Sequence, residues 1–323
     1  MFWKTRRTKT GTRLTLHIGI HRTGTTGLQR ALAANREQIS ALGKSYPFKG
    51  TNHQDLAWGL HRGKMTGRDL LRKLEPYAQK GHIILSGEDF CIHRDLDWLA
   101  PLKEIYDIDA IVYVRRQDHW LMSWYNQHIK WPFSRKHSVM TPKEFLACLE
   151  EFYWLDFEHM LGLWERALGR EKVAVRVIER GQVEDAIGDF LDHVGIDRKA
   201  LAFDTSAQND SLPTETLDYV RRAGMYDIKE PERVAIIGFL QEVAKSVNCK
   251  ARTLYTAAER QGVLDRFEAS NRAVAQHWFG RDDLFLEGPP DDRDLYVEGS
   301  LAAKGSFADL MRIAINALSK EHK

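Results

Sequence analysis

The chain has 323 residues, 43% of them apolar and 28% charged, the balance of a globular protein with a sizeable buried core rather than of a disordered chain. Its 47 basic and 45 acidic side chains leave a net charge of only +2, which excludes a general nucleic-acid-binding field and leaves room for a local basic pocket. No apolar run approaches the roughly 18–20 residues that span a bilayer.

The basic residues Lys4, Arg6, Arg7, Lys9 and Arg13 open the chain and read as a solvated tail, with a membrane-surface or polyanion contact as the alternative. A signal peptide is not indicated, because the apolar stretch that follows is short and contains His17. Cys91, Cys148 and Cys249 lack zinc-like spacing, so a disulfide framework is not expected and a reducing cytoplasm fits.

Residues 14–20 read as a strand, followed by a helix from about 24 to 42 that carries Leu28, Leu32, Ile39 and Leu42 on one stripe. Further strands are expected at 82–86, 109–114 and 172–178, and a short edge strand at Tyr46-Pro47-Phe48. These near-continuous apolar runs, separated by helical segments, predict an α/β three-layer fold with a central parallel sheet. Beyond about Asn209 the strand signals fade. Ala235, Ile236, Phe239, Leu240 and Val243 form a helical stripe, and 254–279 reads as another helix. One domain over 1–323 is therefore expected, with its α/β core at about 12–208 and a helical part at about 209–323.

The most informative segment runs from His17 to Gln29, His-Ile-Gly-Ile-His-Arg-Thr-Gly-Thr-Thr-Gly-Leu-Gln. It leaves a predicted strand and enters a predicted helix, a junction that aims backbone N–H groups and the positive helix end at an anion. Gly24 permits close backbone approach, Thr23, Thr25 and Thr26 add hydroxyls, and Arg22 adds a fixed charge. The bland alternative is a tight turn capped by threonine. The spacing is near that of a nucleotide-triphosphate P-loop, yet Thr25 stands where that motif requires lysine. This P-loop-like segment resembles instead the 5′-phosphosulfate loop of sulfotransferases, enzymes that use 3′-phosphoadenosine-5′-phosphosulfate (PAPS) as donor. Arg22 stands where many members carry lysine.

A second match supports the resemblance. The predicted strand at 109–114 runs into Arg115-Arg116-Gln117, with Ser123 eight residues after Arg115. The family holds the donor's 3′-phosphate with an arginine at this strand end and a serine at this spacing, which implies Arg115 and Ser123 for that role. Arg116 is the adjacent competitor. The bacterial branch of the family also carries a Ser-x-Glu at the end of an equivalent strand, similar to Ser86-Gly87-Glu88 here, which implies Glu88 as the base. Asp89, His21 and His53 remain alternatives. Glu179, the segments 209–212 and 270–272, and Lys304-Gly305 are looser likenesses.

The resemblance implies a P-loop-like fold and a soluble PAPS-dependent enzyme of the bacterial carbohydrate-sulfotransferase-like branch. It would pass a sulfuryl group to a hydroxyl acceptor, with a carbohydrate the acceptor expected, release the 3′,5′-bisphosphate PAP and need no metal. Trp58, Trp124, Trp131 and Trp154 are candidate sugar-stacking residues, with core packing their commoner use. Two other function classes stay open: a metal-dependent P-loop kinase or NTPase, and a non-catalytic nucleotide-binding protein of this fold. The kinase-like His93-Arg94-Asp95-Leu96 lacks its later asparagine, since Ala100 holds that position. Oligomeric state is not legible.

Overall fold

The computed structural model describes residues 11–203, 211–226, 228–246, 251–293 and 295. The chain forms two compact units. Among the described residues, one comprises 11–116, 153–203 and 267–287, and the other those of 117–152, 211–266 and 288–295. Lys4, Arg6, Arg7, Lys9, Cys249, Lys304 and Gly305 lie outside the described residues.

The first unit is built on a five-stranded, wholly parallel sheet in the order β2-β3-β1-β4-β5. Its strands are β1 (Arg13–His17), β2 (Lys44–Ser45), β3 (His82–Ser86), β4 (Asp107–Val114) and β5 (Val173–Val177). β3 is buried along its whole length, and β4 everywhere except its first residue. Such strands tolerate no polar face, because helices cover both sides of the sheet. On one face, Leu28 and Leu32 of helix α1 (Thr25–Ala34) and Phe190 and Leu191 of the helix Ala186–His193 pack with Ile84, Ile111 and Tyr113. The helix Phe157–Leu168 brings Phe157, Met160, Leu161 and Trp164 into the core and lies along β4 and β5.

Four of the five expected strands appear within two or three residues of their predicted limits. The edge strand does not. It falls on Lys44–Ser45, just before Tyr46-Pro47-Phe48, where Phe48 takes a left-handed φ of 63° that no strand accommodates. The expected helix over 24–42 is also broken. Asn35 turns its amide Nδ2 onto the Ala31 and Ala202 carbonyls at 2.8 and 2.7 Å, and its Oδ1 accepts from the Ala202 N–H at 2.7 Å. An asparagine that satisfies a neighbouring loop in this way ends α1, and a short helix, Arg36–Ala41, resumes.

Beneath the sheet's amino end sits a polar cluster. Asp109 accepts from Arg13 Nε and Nη2 at 2.7 and 2.9 Å and from Thr15 Oγ1 at 3.0 Å, and it lies 2.9 Å from His193 Nε2. Burial opposes the charge of Asp109, but these hydrogen bonds and the Arg13 charge hold its carboxyl well below the usual range. Asp109→Ala is expected to destabilise the protein by about 2–4 kcal/mol, discounted from the roughly 3–5 kcal/mol for breaking a buried pair, since Arg13 is partly exposed to screening solvent. Urea unfolding checks this. The midpoint should fall with an unchanged slope, and a loss below about 1 kcal/mol would mean the cluster contributes little.

In the second unit, the helix Gln117–Lys130 is anchored by Asn126. Its side chain exchanges hydrogen bonds with the Leu212 main chain at 2.7 and 3.1 Å. Asp118, fully buried, pairs with Arg260 Nη2 at 3.0 Å. Glu230–Ser246 forms one continuous helix, as its apolar stripe predicts. The helix Ala257–Val274, expected as part of 254–279, passes into a π-helical turn over Ala275–Phe279. Among the described residues no helix is long and apolar enough to cross a membrane.

Candidate active site

β3, β1 and β4 are adjacent and parallel, so the segments after His17, Ser86 and Val114 leave the sheet side by side. The chain moves outward from β1 to β2 and returns to β3. It then crosses to β4 on the other side of β1. Ligands bind in α/β sheets at this kind of reversal, beyond the strands' carboxyl ends.

The loop after β1 stays attached to β4 for three residues. Ile18 N–H donates to the Ile111 carbonyl at 3.0 Å and Ile20 N–H to Tyr113 at 3.4 Å. It then turns sharply. Gly19, Arg22 and Gly24 have φ of 47°, 71° and 82°. Gly24 is exposed and directly precedes α1, so its N–H and those of the first helical turn form an anion-receptive end. At Gly19 a side chain would meet Thr25 Cγ2 at 3.0 Å and His17 Nε2 at 3.5 Å, which accounts for glycine there. Arg22 pays a conformational penalty that a non-glycine residue accepts where neighbours over-determine it. The Thr23 hydroxyl is spent on the Ile20 carbonyl at 2.7 Å, so this residue offers an anion its main chain. Thr25 is buried and Thr26 half-buried.

Arg115 Nη1 donates to the Arg22 carbonyl at 3.0 Å. The two segments read from sequence as anion-binding, ninety-three residues apart, therefore meet. Arg116 is directed elsewhere: it is buried, its Nη1 donates to the Glu287 carbonyl at 3.4 Å and lies 3.5 Å from the Glu287 carboxylate. Glu179 holds that same segment, accepting from the Leu286 and Glu287 N–H groups at 2.7 and 2.9 Å. Of the two adjacent arginines, Arg115 is the one turned to the loop. Ser123 lies on the helix Gln117–Lys130 of the other unit.

The end of β3 brings together three candidates that the sequence left as alternatives. His21 Nδ1 lies 3.0 Å from Glu88 Oε2, and its Nε2 lies 3.1 Å from Asp89 Oδ1. Burial alone would push this imidazole down. Hydrogen bonds to Asp89 and Glu88, with their charges, override burial and raise it to about 9. At neutral pH this favours the imidazolium form of His21 between Glu88 and Asp89, which weighs against it as the base. Arg22 is near enough for the charge of Glu88 to oppose the lowering that burial imposes on it. The Trp154 ring stands edge-on to His21 at 6.2 Å. By contrast, Trp124 is core, stacked on Trp120 at 5.6 Å.

His53 is engaged by main-chain groups at both ring nitrogens. Its Nδ1 accepts from the Ser86 N–H at 2.9 Å and its Nε2 lies 2.9 Å from the Pro47 carbonyl. Burial, partly offset by these backbone contacts, holds it near 4. It ties the 47–53 loop to β3.

Sequence reasoning missed a polar floor beneath the loop. His17 Nδ1 lies 2.7 Å from Ser86 Oγ, which also accepts from Gln29 Nε2 at 3.2 Å. Full burial pushes His17 down to about 3, so the ring is neutral. Its Nε2 is buried without a partner among the described residues. The available signal was a histidine between apolar residues at the end of the strand, Leu16 and Ile18.

No family model matches the chain. It is 27% identical over 210 residues to an uncharacterized protein from Archaeoglobus fulgidus, a match covering 63% of this chain and 55% of that one. The chain thus spans little more than half the length of that relative. Among solved structures, a sulfotransferase from Alicyclobacillus acidocaldarius aligns over 70% of this chain and 94% of its own, at 16% identity and a TM-score of 0.37. The sulfotransferase domain of the Synechococcus PCC 7002 olefin synthase aligns over 76% and 98%, at 13% identity and a TM-score of 0.36.

Proposed function

We propose that the chain is a PAPS-dependent sulfotransferase that passes a sulfuryl group to a hydroxyl acceptor, a carbohydrate by preference. The observation that carries this reading is the contact of Arg115 with the Arg22 carbonyl. Two anion cradles at adjacent strand ends suit a nucleotide phosphorylated at both its 5′ and 3′ positions. A triphosphate site would need the lysine that Thr25 replaces.

In this reading Arg22 and the amides from Thr23 to Thr26 bind the donor's 5′-phosphosulfate and stabilise charge on its departing phosphate oxygen. Arginine suits this as a fixed charge, while its high pKa makes it a poor proton donor. Arg115 contacts the 3′-phosphate. The share of Ser123 in that contact rests on sequence spacing alone. Glu88, with one oxygen held by His21, takes the acceptor's hydroxyl proton through the other. The acceptor oxygen bonds to sulfur as the bond from sulfur to the phosphate bridging oxygen breaks. Trp154, beside His21, offers a face to an acceptor ring. This transfer uses no metal.

Glu88→Ala is expected to lower kcat about 10²- to 10⁴-fold, the usual share of a general base. PAP affinity measured calorimetrically without magnesium should stay within about threefold. A labelled-donor assay over a panel of sugars supplies the rate. Full activity in the variant removes Glu88 as the base. Binding of ATP only with magnesium, and no binding of PAP, would return the chain to the kinase class.

A further inference from the structure

We propose that His137, Cys148 and Glu151, in the second unit, form a binding site for a zinc-class divalent cation. One ligand atom from each of the three residues lies within 4.8 Å of the others. Tetrahedral zinc, at bond lengths of about 2.0–2.3 Å, holds its ligand atoms roughly 3.3–3.8 Å apart. His137 Nε2 and Glu151 Oε2, 3.2 Å apart, are already near that spacing.

The local fold prepares the three groups. His137 is the third residue of the short helix Arg135–Ser138, and its N–H donates to the capping Ser134 hydroxyl at 3.4 Å. Cys148 ends the helix Pro142–Ala147, which starts in a Thr141/Glu144 capping box. Glu151 follows one turn later, its N–H donating to the Cys148 carbonyl at 2.9 Å. The His137 ring is wedged between Phe145 and Phe152, each with its centroid 5.7 Å away. Its Nδ1 is buried there without a partner among the described residues. Nε2 is therefore the atom turned to the cluster, 3.2 Å from Glu151 Oε2. The other Glu151 oxygen receives Lys136 Nζ, an outer partner of the kind that orients a ligating carboxylate. Met140 Sδ lies 3.9 Å from Cys148 Sγ.

A thiolate, an imidazole and a carboxylate select a zinc-like ion over magnesium or calcium, which prefer all-oxygen sets. Three protein ligands leave a fourth position, and Glu151, with 42% of its side chain exposed, gives it access to solvent. Sequence spacing conceals the site, because ten residues separate His137 from Cys148 and the third ligand is an acid.

The probe is Co²⁺ added to the full chain, purified without a histidine tag and stripped by chelator. One equivalent should bind, with sulfur-to-cobalt charge-transfer absorption that Zn²⁺ abolishes. Cys148→Ser should lose that absorption and bind at least about 100-fold more weakly, beyond the 10–100-fold typical of disturbing an outer partner. Glu151→Gln should keep the absorption with weaker binding. In the unmutated chain Zn²⁺ should protect Cys148 from alkylation, a readout that needs no variant. Absence of the charge-transfer band, its persistence in Cys148→Ser, or unprotected alkylation of Cys148 overturns the proposal.

Discussion

Arg115→Ala is expected to weaken PAP binding about 10- to 100-fold while changing the affinity for adenosine 5′-monophosphate by less than about threefold. A hydrogen bond to a charged group contributes roughly 1.5–3 kcal/mol, and each 1.4 kcal/mol is a factor of ten. The guanidinium also holds the Arg22 carbonyl at 3.0 Å, so some loss is common to both ligands through a looser loop. The difference between the two affinities isolates the 3′-phosphate contact. Arg116→Ala is the comparator. Its guanidinium serves the Glu287 segment, and its loss should leave the ratio of the two affinities unchanged. Calorimetry on both variants decides the matter. Equal losses for the two nucleotides in Arg115→Ala would remove the contact, and a changed ratio in Arg116→Ala would reverse the choice of arginine.

Four of the strands were legible from their apolar and β-branched runs, whereas their order in the sheet was not. His82–Ser86 is buried on both faces, and its short β-branched run, bounded by Gly81 and Gly87, reads as strand. Places where a polar side chain answers a distant partner were not legible. Asn35 breaks a helix for the sake of Ala202, and the Ala202 loop is 167 residues away. The same holds at the site. Arg22 and Arg115 could be named from motif spacing, but the choice between Arg115 and Arg116 depended on Glu287, late in the chain, and on Glu179, just after β5, which holds it. His21, Glu88, Asp89 and His53 looked like four alternatives for one role. Burial and partners separate them. Main-chain groups hold His53 from both sides of its ring, and His21 is charged by the two acids beside it.

That charge leads to the second large effect. In His21→Gln, kcat/KM at neutral pH should fall about 100-fold or more, and the wild-type falling limb above about pH 9 should vanish. The imidazolium stands between Glu88 and Asp89, with Arg22 close enough to Glu88 for their charges to interact. The neighbouring Cys91 thiol is kept neutral by its burial. Without the imidazolium, two carboxylates would face an anionic donor with one positive charge fewer to balance them, a repulsion that a site of low dielectric magnifies. Glu88 would also lose the hydrogen bond that aims it. The folded pKa of about 9 exceeds the ordinary 6.5, so His21 stabilises the fold fully below pH 6.5. That contribution, about 3 kcal/mol, is lost progressively up to pH 9. Urea midpoints and pH–rate profiles of both proteins measure the two consequences. A merely structural histidine would lower stability in the variant yet leave the alkaline limb of the rate in place. Persistence of that limb in His21→Gln would therefore exclude the imidazolium from the transfer step, because no proton at position 21 would remain to account for it.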